Sequence, residues 1–88
     1  MNKKGIVTSF REYTWQNNGK NVEMCYVEGV YQSGNNYIQF SQSLKKEQVK
    51  IYNQLSIVNI TFDLYSKKGQ MLAKIVKIEE IKKLTIEV

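Results

Sequence analysis

Arg11, Tyr13 and Trp15 stand at alternate positions of "REYTW", so in an extended strand one cation and two aromatic rings share a face. Rings stack on bare bases and a guanidinium meets phosphate, which makes this a pattern suited to an unpaired nucleic acid strand. The pairing recurs along the chain. Lys20 closes the polar turn "NNGK", Tyr31 and Tyr37 flank "QSGNN", Tyr65 leads into Lys67 and Lys68, and Lys74 lies in the stretch that follows. Six tyrosines against three phenylalanines strengthen the signal, because a tyrosine ring tolerates water at its hydroxyl while presenting a flat apolar face. Arg11, Tyr13, Trp15, Lys20, Tyr31, Tyr37, Tyr65, Lys67, Lys68 and Lys74 are therefore the candidate contacts.

Composition narrows the alternatives. A net charge of +5 and a pI near 9.4 favour a polyanionic partner through attraction to phosphates and release of their counterions. Enzyme chemistry has little to draw on. The chain has no histidine, and its one adjacent carboxylate pair, Glu79 and Glu80, points to opposite faces of a strand. Nor does a glycine loop for phosphate appear. Cys25 is the single cysteine, so an internal disulfide is excluded and the usual zinc sets are missing; it reads as a small core residue. No catalytic residue, metal or cofactor is expected. Apolar runs of two or three residues fall far short of the roughly 20 a membrane helix needs, and "MNKKGIVTSFREY" lacks the apolar region of a signal peptide. A cytoplasmic protein without a membrane partner is expected.

The elements that must position these side chains are mostly strands. Residues 1–88 make one domain with one small core, and the dominant period is two. Strand 1 covers 5–15, with Ile6 and Phe10 on one face and Val7, Ser9, Arg11, Tyr13 and Trp15 on the other. "NNGK" (17–20) turns into strand 2 (21–32), where Gly29 marks a bulge or a sharp coil. "SGNN" (33–36) turns into strand 3 (37–44). The spacing of Leu44, Gln48, Ile51, Tyr52 and Leu55 predicts a short helix over 43–55, capped by Ser43. Strand 4 (56–66) alternates Val58, Ile60, Phe62 and Leu64 with polar residues. "KKG" (67–69) turns into strand 5 (70–81), on which Lys74 and Lys77 fall on opposite faces. The tail 82–88 extends that strand or forms a short sixth one. Phe10, Phe40 and Phe62 belong with Ile6, Ile38 and Ile60 in the core, whereas Tyr26 fits a core, an interface or a stacking platform.

Three meandering strands, a helix and a hairpin follow the element order of the OB-fold, a five-stranded Greek-key barrel with one short helix between strands 3 and 4. SH3-like barrels share the meander without such a helix, and an open sheet under one covering helix fits the same pattern. With "EMCYVEG" (23–29) in a strand after a polar first loop and the aromatic, basic hairpin "LYSKKGQ" (64–70), the chain resembles the small OB-fold single-stranded DNA-binding proteins of phages and mobile elements. Its size is similar to that of the filamentous-phage members, although a helix near 45–55 departs from their pattern. The resemblance implies cooperative, largely sequence-independent coating of exposed single strands during replication or transfer, often by a dimer. Independently of it, the apolar edge "LTIEV" (84–88) favours a homodimer. RNA binding or a protein-binding adaptor stays open as an alternative to single-stranded DNA.

Overall fold

A computed structural model of the chain describes residues 1–85. Six strands form one sheet: β1 (Asn2–Asn17), β2 (Lys20–Ser33), β3 (Asn36–Lys45), β4 (Val49–Lys50), β5 (Ser56–Lys67) and β6 (Gln70–Lys83), in the order β3-β2-β1-β5-β6-β4. Neighbours are antiparallel except β4 and β6. Turn chemistry sets the three hairpins. Asn18 and Gly19 (φ 52° and 77°) and Lys68 and Gly69 (φ 51° and 76°) occupy left-handed pairs, the conformation that matches the right-handed twist of the flanking strands. The hairpin between β2 and β3 places Gly34 first in its turn at φ 60°.

β1 is longer than any of its partners' ladders to it. Its residues Asn2–Val7 pair with Thr61–Ser56 of β5, whereas the β2 ladder runs on to Asn17. The β1–β2 hairpin thus extends beyond β5 at one end, and β5–β6 beyond β1 at the other. The longest dimension of the molecule is 48 Å.

Three bulges break the simple alternation read from the sequence: Thr8 on β1, and Val76 and Ile81 on β6. Thr8 is the extra residue between Val7 and Ser9, so the inner side switches from odd to even positions. Val7 is fully buried and Phe10 packs partly buried against the core, while Ile6 falls on the outer side. The bulged residue lies on β1, and Gly29 stands opposite Val7. A Cβ at Gly29 would sit 2.2 Å from the Ile6 carbonyl oxygen, so the close approach of β1 and β2 here requires glycine. On β6, Val76 is the extra residue between the pairs Thr61–Lys77 and Phe62–Ile75. Lys74 and Lys77 therefore share the outer side, contrary to strict alternation.

The core lies on the inner side of the sheet: Val7, Cys25, Val27, Leu44, Ile51, Val58, Ile60, Ile75 and Ile78, with Tyr31, Phe40 and Phe62 packed against it. A single sheet buries one face this way only by curling. The curl brings β3 against β6, where the Gln42 amide donates to the Ile75 carbonyl oxygen at 2.7 Å and accepts from the Ile75 N–H at 3.4 Å. No backbone ladder joins β3 to β6 among the described residues, so the chain is mainly β as expected but its sheet is open and has six strands where a five-stranded barrel is expected. Gln54 plays the same part where β1 and β5 separate, with its amide paired to the N–H and carbonyl of Phe10 at 3.0 and 3.1 Å.

The helix expected over 43–55 is replaced by one 3-10 turn, Lys46–Gln48. Strand partners take its apolar positions. Leu44 continues β3 and is buried opposite Cys25, Val49 pairs with Ile78, and Ile51 enters the core. Tyr52, assigned to the apolar stripe, is 77% exposed. Glu80 on β6 then accepts the backbone N–H groups of Tyr52 and Asn53 at 3.3 and 3.0 Å, which fixes a non-helical loop. A lone helix of this length is marginal in water, and the long-range pairings prevail. Leu84 donates its N–H to the Leu55 carbonyl; of the expected sixth strand, residues 86–88 lie outside the described ones. No helix among the described residues is long and apolar enough to cross a membrane.

Candidate nucleic-acid interface

Register decides which side chains can act together, because directly paired residues of an antiparallel ladder share a face. Arg11 pairs with Tyr26, Tyr13 with Met24, Trp15 with Val22 and Asn17 with Lys20. Across β2, Tyr26 pairs with Ser43, Met24 with Lys45 and Gln32 with Tyr37. All of these lie on the outer side, opposite the core. On the far hairpin Asp63 pairs with Lys74, Tyr65 with Leu72 and Lys67 with Gln70, again on the outer side of the same sheet. Lys68 occupies the hairpin tip.

Tyr31 is the exception. It lies on the inner side with its ring 5.1 Å from that of Phe62 and 6.2 Å from that of Phe40, packed against the core. The reading that paired it with Tyr37 as a platform is corrected: six residues apart across a two-residue turn, the two tyrosines fall on opposite faces. Tyr31 helps to hold β2, β3 and β5 together, and Tyr37 is 64% exposed.

Tyr37 stands apart beside the β2–β3 turn, opposite Gln32, and the remaining residues gather into two clusters at opposite ends of the sheet. In the first, the Arg11 guanidinium lies 5.6 Å from the centre of the Tyr26 ring, a cation–π contact. The Tyr13 hydroxyl donates to Ser43 Oγ at 2.9 Å, tying β1 to β3 across β2 and leaving the ring exposed. Arg11, Tyr13, Tyr26 and Ser43 line an open depression of about 410 Å³. Trp15, 52% exposed, continues the cluster toward the hairpin tip and Lys20. In the second cluster the Lys74 ammonium lies 5.7 Å from the centre of the Tyr65 ring, with Lys67 next on that face.

Charge is arranged to leave these cations available. Lys46 takes up Glu12 and Glu23 at 3.6 and 3.9 Å, and Lys77 pairs with Glu79. Hydrogen bonding to Lys77 and its charge hold the Glu79 carboxyl below the usual range. Arg11, Lys20, Lys67, Lys68 and Lys74 make no ion pair among the described residues. Lys68 holds φ 51°, a conformation that costs a residue with a Cβ about 1 kcal/mol. The other left-handed hairpin uses Asn18 at that place, so the lysine is the less comfortable choice for a turn.

Tyr26, Met24, Ser43 and Lys45 join the face without having been singled out as contacts. The signal for Tyr26 was present in its parity with Met24, and its pairing with Arg11 follows from the unbroken register that the Asn18–Gly19 turn sets as far as Ser9 and Glu28. Buried Cys25 lies on the inner side; burial and then the charge of Glu12 push its thiol up, which keeps it protonated. Comparison of the chain with known protein families, curated proteins and solved structures found no match.

Proposed function

We propose that this chain is a non-catalytic, largely sequence-independent single-stranded DNA-binding protein whose outer sheet face carries the strand. One observation supports it above the others: the register brings Arg11, Tyr13, Trp15, Tyr26 and Tyr37 to the same side of the sheet as Tyr65, Lys67 and Lys74. Rings on such a face stack with bases, and unpaired cations beside them neutralise phosphates. On this reading the curled sheet is an OB-like barrel left open at the seam between β3 and β6. Its meander, its return of β5 beside β1 and its long terminal hairpin support that assignment. The role follows the resemblance to the small proteins that coat exposed phage and plasmid strands during replication or transfer, in the cytoplasm and without a cofactor. A homodimer belongs to the proposal too, although most of the edge that suggested it, residues 86–88, lies outside the described structure.

The molecule's 48 Å length corresponds to about 14 nucleotides at 3.4 Å per stacked step, so a dT16 oligonucleotide can reach both clusters. Titrating dT16, the equivalent oligo-rU and a 16-base-pair duplex at two salt concentrations tests the proposal. Expected is binding of dT16 far above duplex, with log affinity falling by about 0.7 per phosphate contact against log salt. A flat salt response would point to a protein-binding adaptor, and preference for oligo-rU to an RNA-binding protein.

A further inference from the structure

Between the two aromatic clusters the outer face changes character. Glu28 stands at its middle, paired with Ser9 on β1 and Ser41 on β3. It is exposed and makes no ion pair among the described residues. On the inner side, by contrast, Glu12 and Glu23 are both taken up by Lys46. Beside Glu28 the Thr8 bulge opens the sheet. The Thr8 hydroxyl donates to the Glu28 carbonyl oxygen at 3.2 Å, and Thr8, Glu28, Val30, Gln39 and Ser41 line an open depression of about 460 Å³. A carboxylate left unpaired at the centre of a phosphate-binding face repels the backbone of any strand laid over it. Asp63, exposed on the same side and likewise without an ion pair, faces Lys74 across the β5–β6 ladder, whereas Glu28 has only serines opposite it and keeps both oxygens free for a partner other than phosphate.

Bases supply that partner. An ionised carboxylate is an acceptor with two oxygens and matches two parallel N–H donors. Guanine offers such a pair on its Watson–Crick edge, N1–H beside the N2 amino group. Cytosine and adenine offer one amino donor each, next to a ring nitrogen that is itself an acceptor. Thymine offers N3–H between two carbonyl oxygens that face the carboxylate unfavourably. Single-stranded DNA exposes these edges, since its bases are unpaired.

Building on the proposed single-strand binding, we propose that Glu28 and the depression beside it form a base-reading subsite for guanine. Its carboxylate accepts N1–H and N2–H of one guanine, while the neighbouring base stacks on the Arg11–Tyr26 cluster, where Tyr26 is the next residue of β2 on that face. Thymine is the poorest occupant, so binding that is largely indifferent to sequence carries one position of preference.

The test compares dT16 with the same oligonucleotide carrying three spaced guanines, too few and too separated for quadruplexes, and with its inosine version, which lacks the N2 amino group. Fluorescence anisotropy is read for the wild-type chain, Glu28→Gln and Glu28→Ala, with melting curves as the folding control. Wild type should bind the guanine oligonucleotide about five- to tenfold more tightly than dT16, in the range expected of a good bidentate pair, and the inosine version in between. Glu28→Gln should reduce the guanine preference to below about twofold. Glu28→Ala should abolish it and tighten dT16 binding, since a repelling charge is gone. Equal binding of the guanine and thymine oligonucleotides by the wild type overturns the subsite while leaving single-strand binding intact, and so does a preference that survives in both variants. Failure of dT16 and the guanine oligonucleotide alike to bind overturns both proposals.

Discussion

Removing the Gln42 side chain should loosen the seam that holds the curl of the sheet. In Gln42→Ala the Ile75 carbonyl loses a donor at 2.7 Å and the Ile75 N–H an acceptor at 3.4 Å; the first is a strong contact, the second lies at the weak limit. A buried backbone group left unpaired costs about 1–3 kcal/mol. Gln42 is half-buried, so water partly re-satisfies both groups and the expected loss is about 1–3 kcal/mol for the pair. For a domain of this size that is roughly 5–20 °C in Tm. Gln54 makes the matching contacts with Phe10 at an exposed site, and Gln54→Ala should cost only about 0.5–1 kcal/mol. Gln42→Glu adds a sign. Its carboxylate would face the Ile75 carbonyl oxygen without a proton to donate, so its folded pKa is raised. The stability it supplies is present in acid, where the protonated form donates, and is lost as pH rises through that folded value. Urea unfolding followed by circular dichroism at pH 4.5 and 7 measures all three. Equal, sub-half-kilocalorie losses for Gln42→Ala and Gln54→Ala, with no pH dependence in Gln42→Glu, would refute the role of the seam.

Lys68→Asn should relieve the left-handed strain at the second hairpin and raise stability by roughly 0.5–1 kcal/mol, while lowering the salt slope of dT16 binding by about 0.7; melting and titration of one variant check both. Burial raises the Cys25 thiol above its ordinary value, so its contribution to stability is full below about pH 8.5 and declines as pH rises through the folded value. Wild type should therefore lose more stability between pH 7 and pH 9.5 than Cys25→Ala, measured by urea unfolding. Tyr31→Ala should cost about 2–3 kcal/mol of stability, below the 3–5 of a fully buried ring, with binding by the folded fraction preserved. Tyr26→Ala should do the reverse and weaken dT16 binding by about 1–3 kcal/mol.

The hairpins were legible because Asn18, Gly19, Gly34 and Gly69 announce tight turns by chemistry that acts within four residues. The strands were legible by their period of two. What escaped was set by pairing at long range. Thr8 carries no mark of a bulge, since its extra place in β1 exists only against β2; it puts Val7 in the core with Phe10, and Ile6 on the outer side with Arg11. Val76 does the same on β6 and unites Lys74 with Lys77. The stretch 43–55 has helical spacing, but Leu44, Val49 and Ile51 find strand partners and Glu80 fixes the loop from 27 residues away. Of the expected contacts, Arg11, Tyr13 and Trp15 come together as their alternation implied. Tyr31 does not join them, because a two-residue turn reverses which parity faces out.

Trp15 is the lone tryptophan and half exposed on the outer face, so its fluorescence reports directly on the proposed interface. Titrated with dT16, it should be quenched in a saturable way as a base stacks on the indole, and the quench should shrink in high salt as phosphate contacts are lost. A 16-base-pair duplex at the same nucleotide concentration should leave the emission nearly unchanged. Emission that ignores dT16, or that responds equally to single strand and duplex, would contradict the assignment of this face to single-stranded DNA.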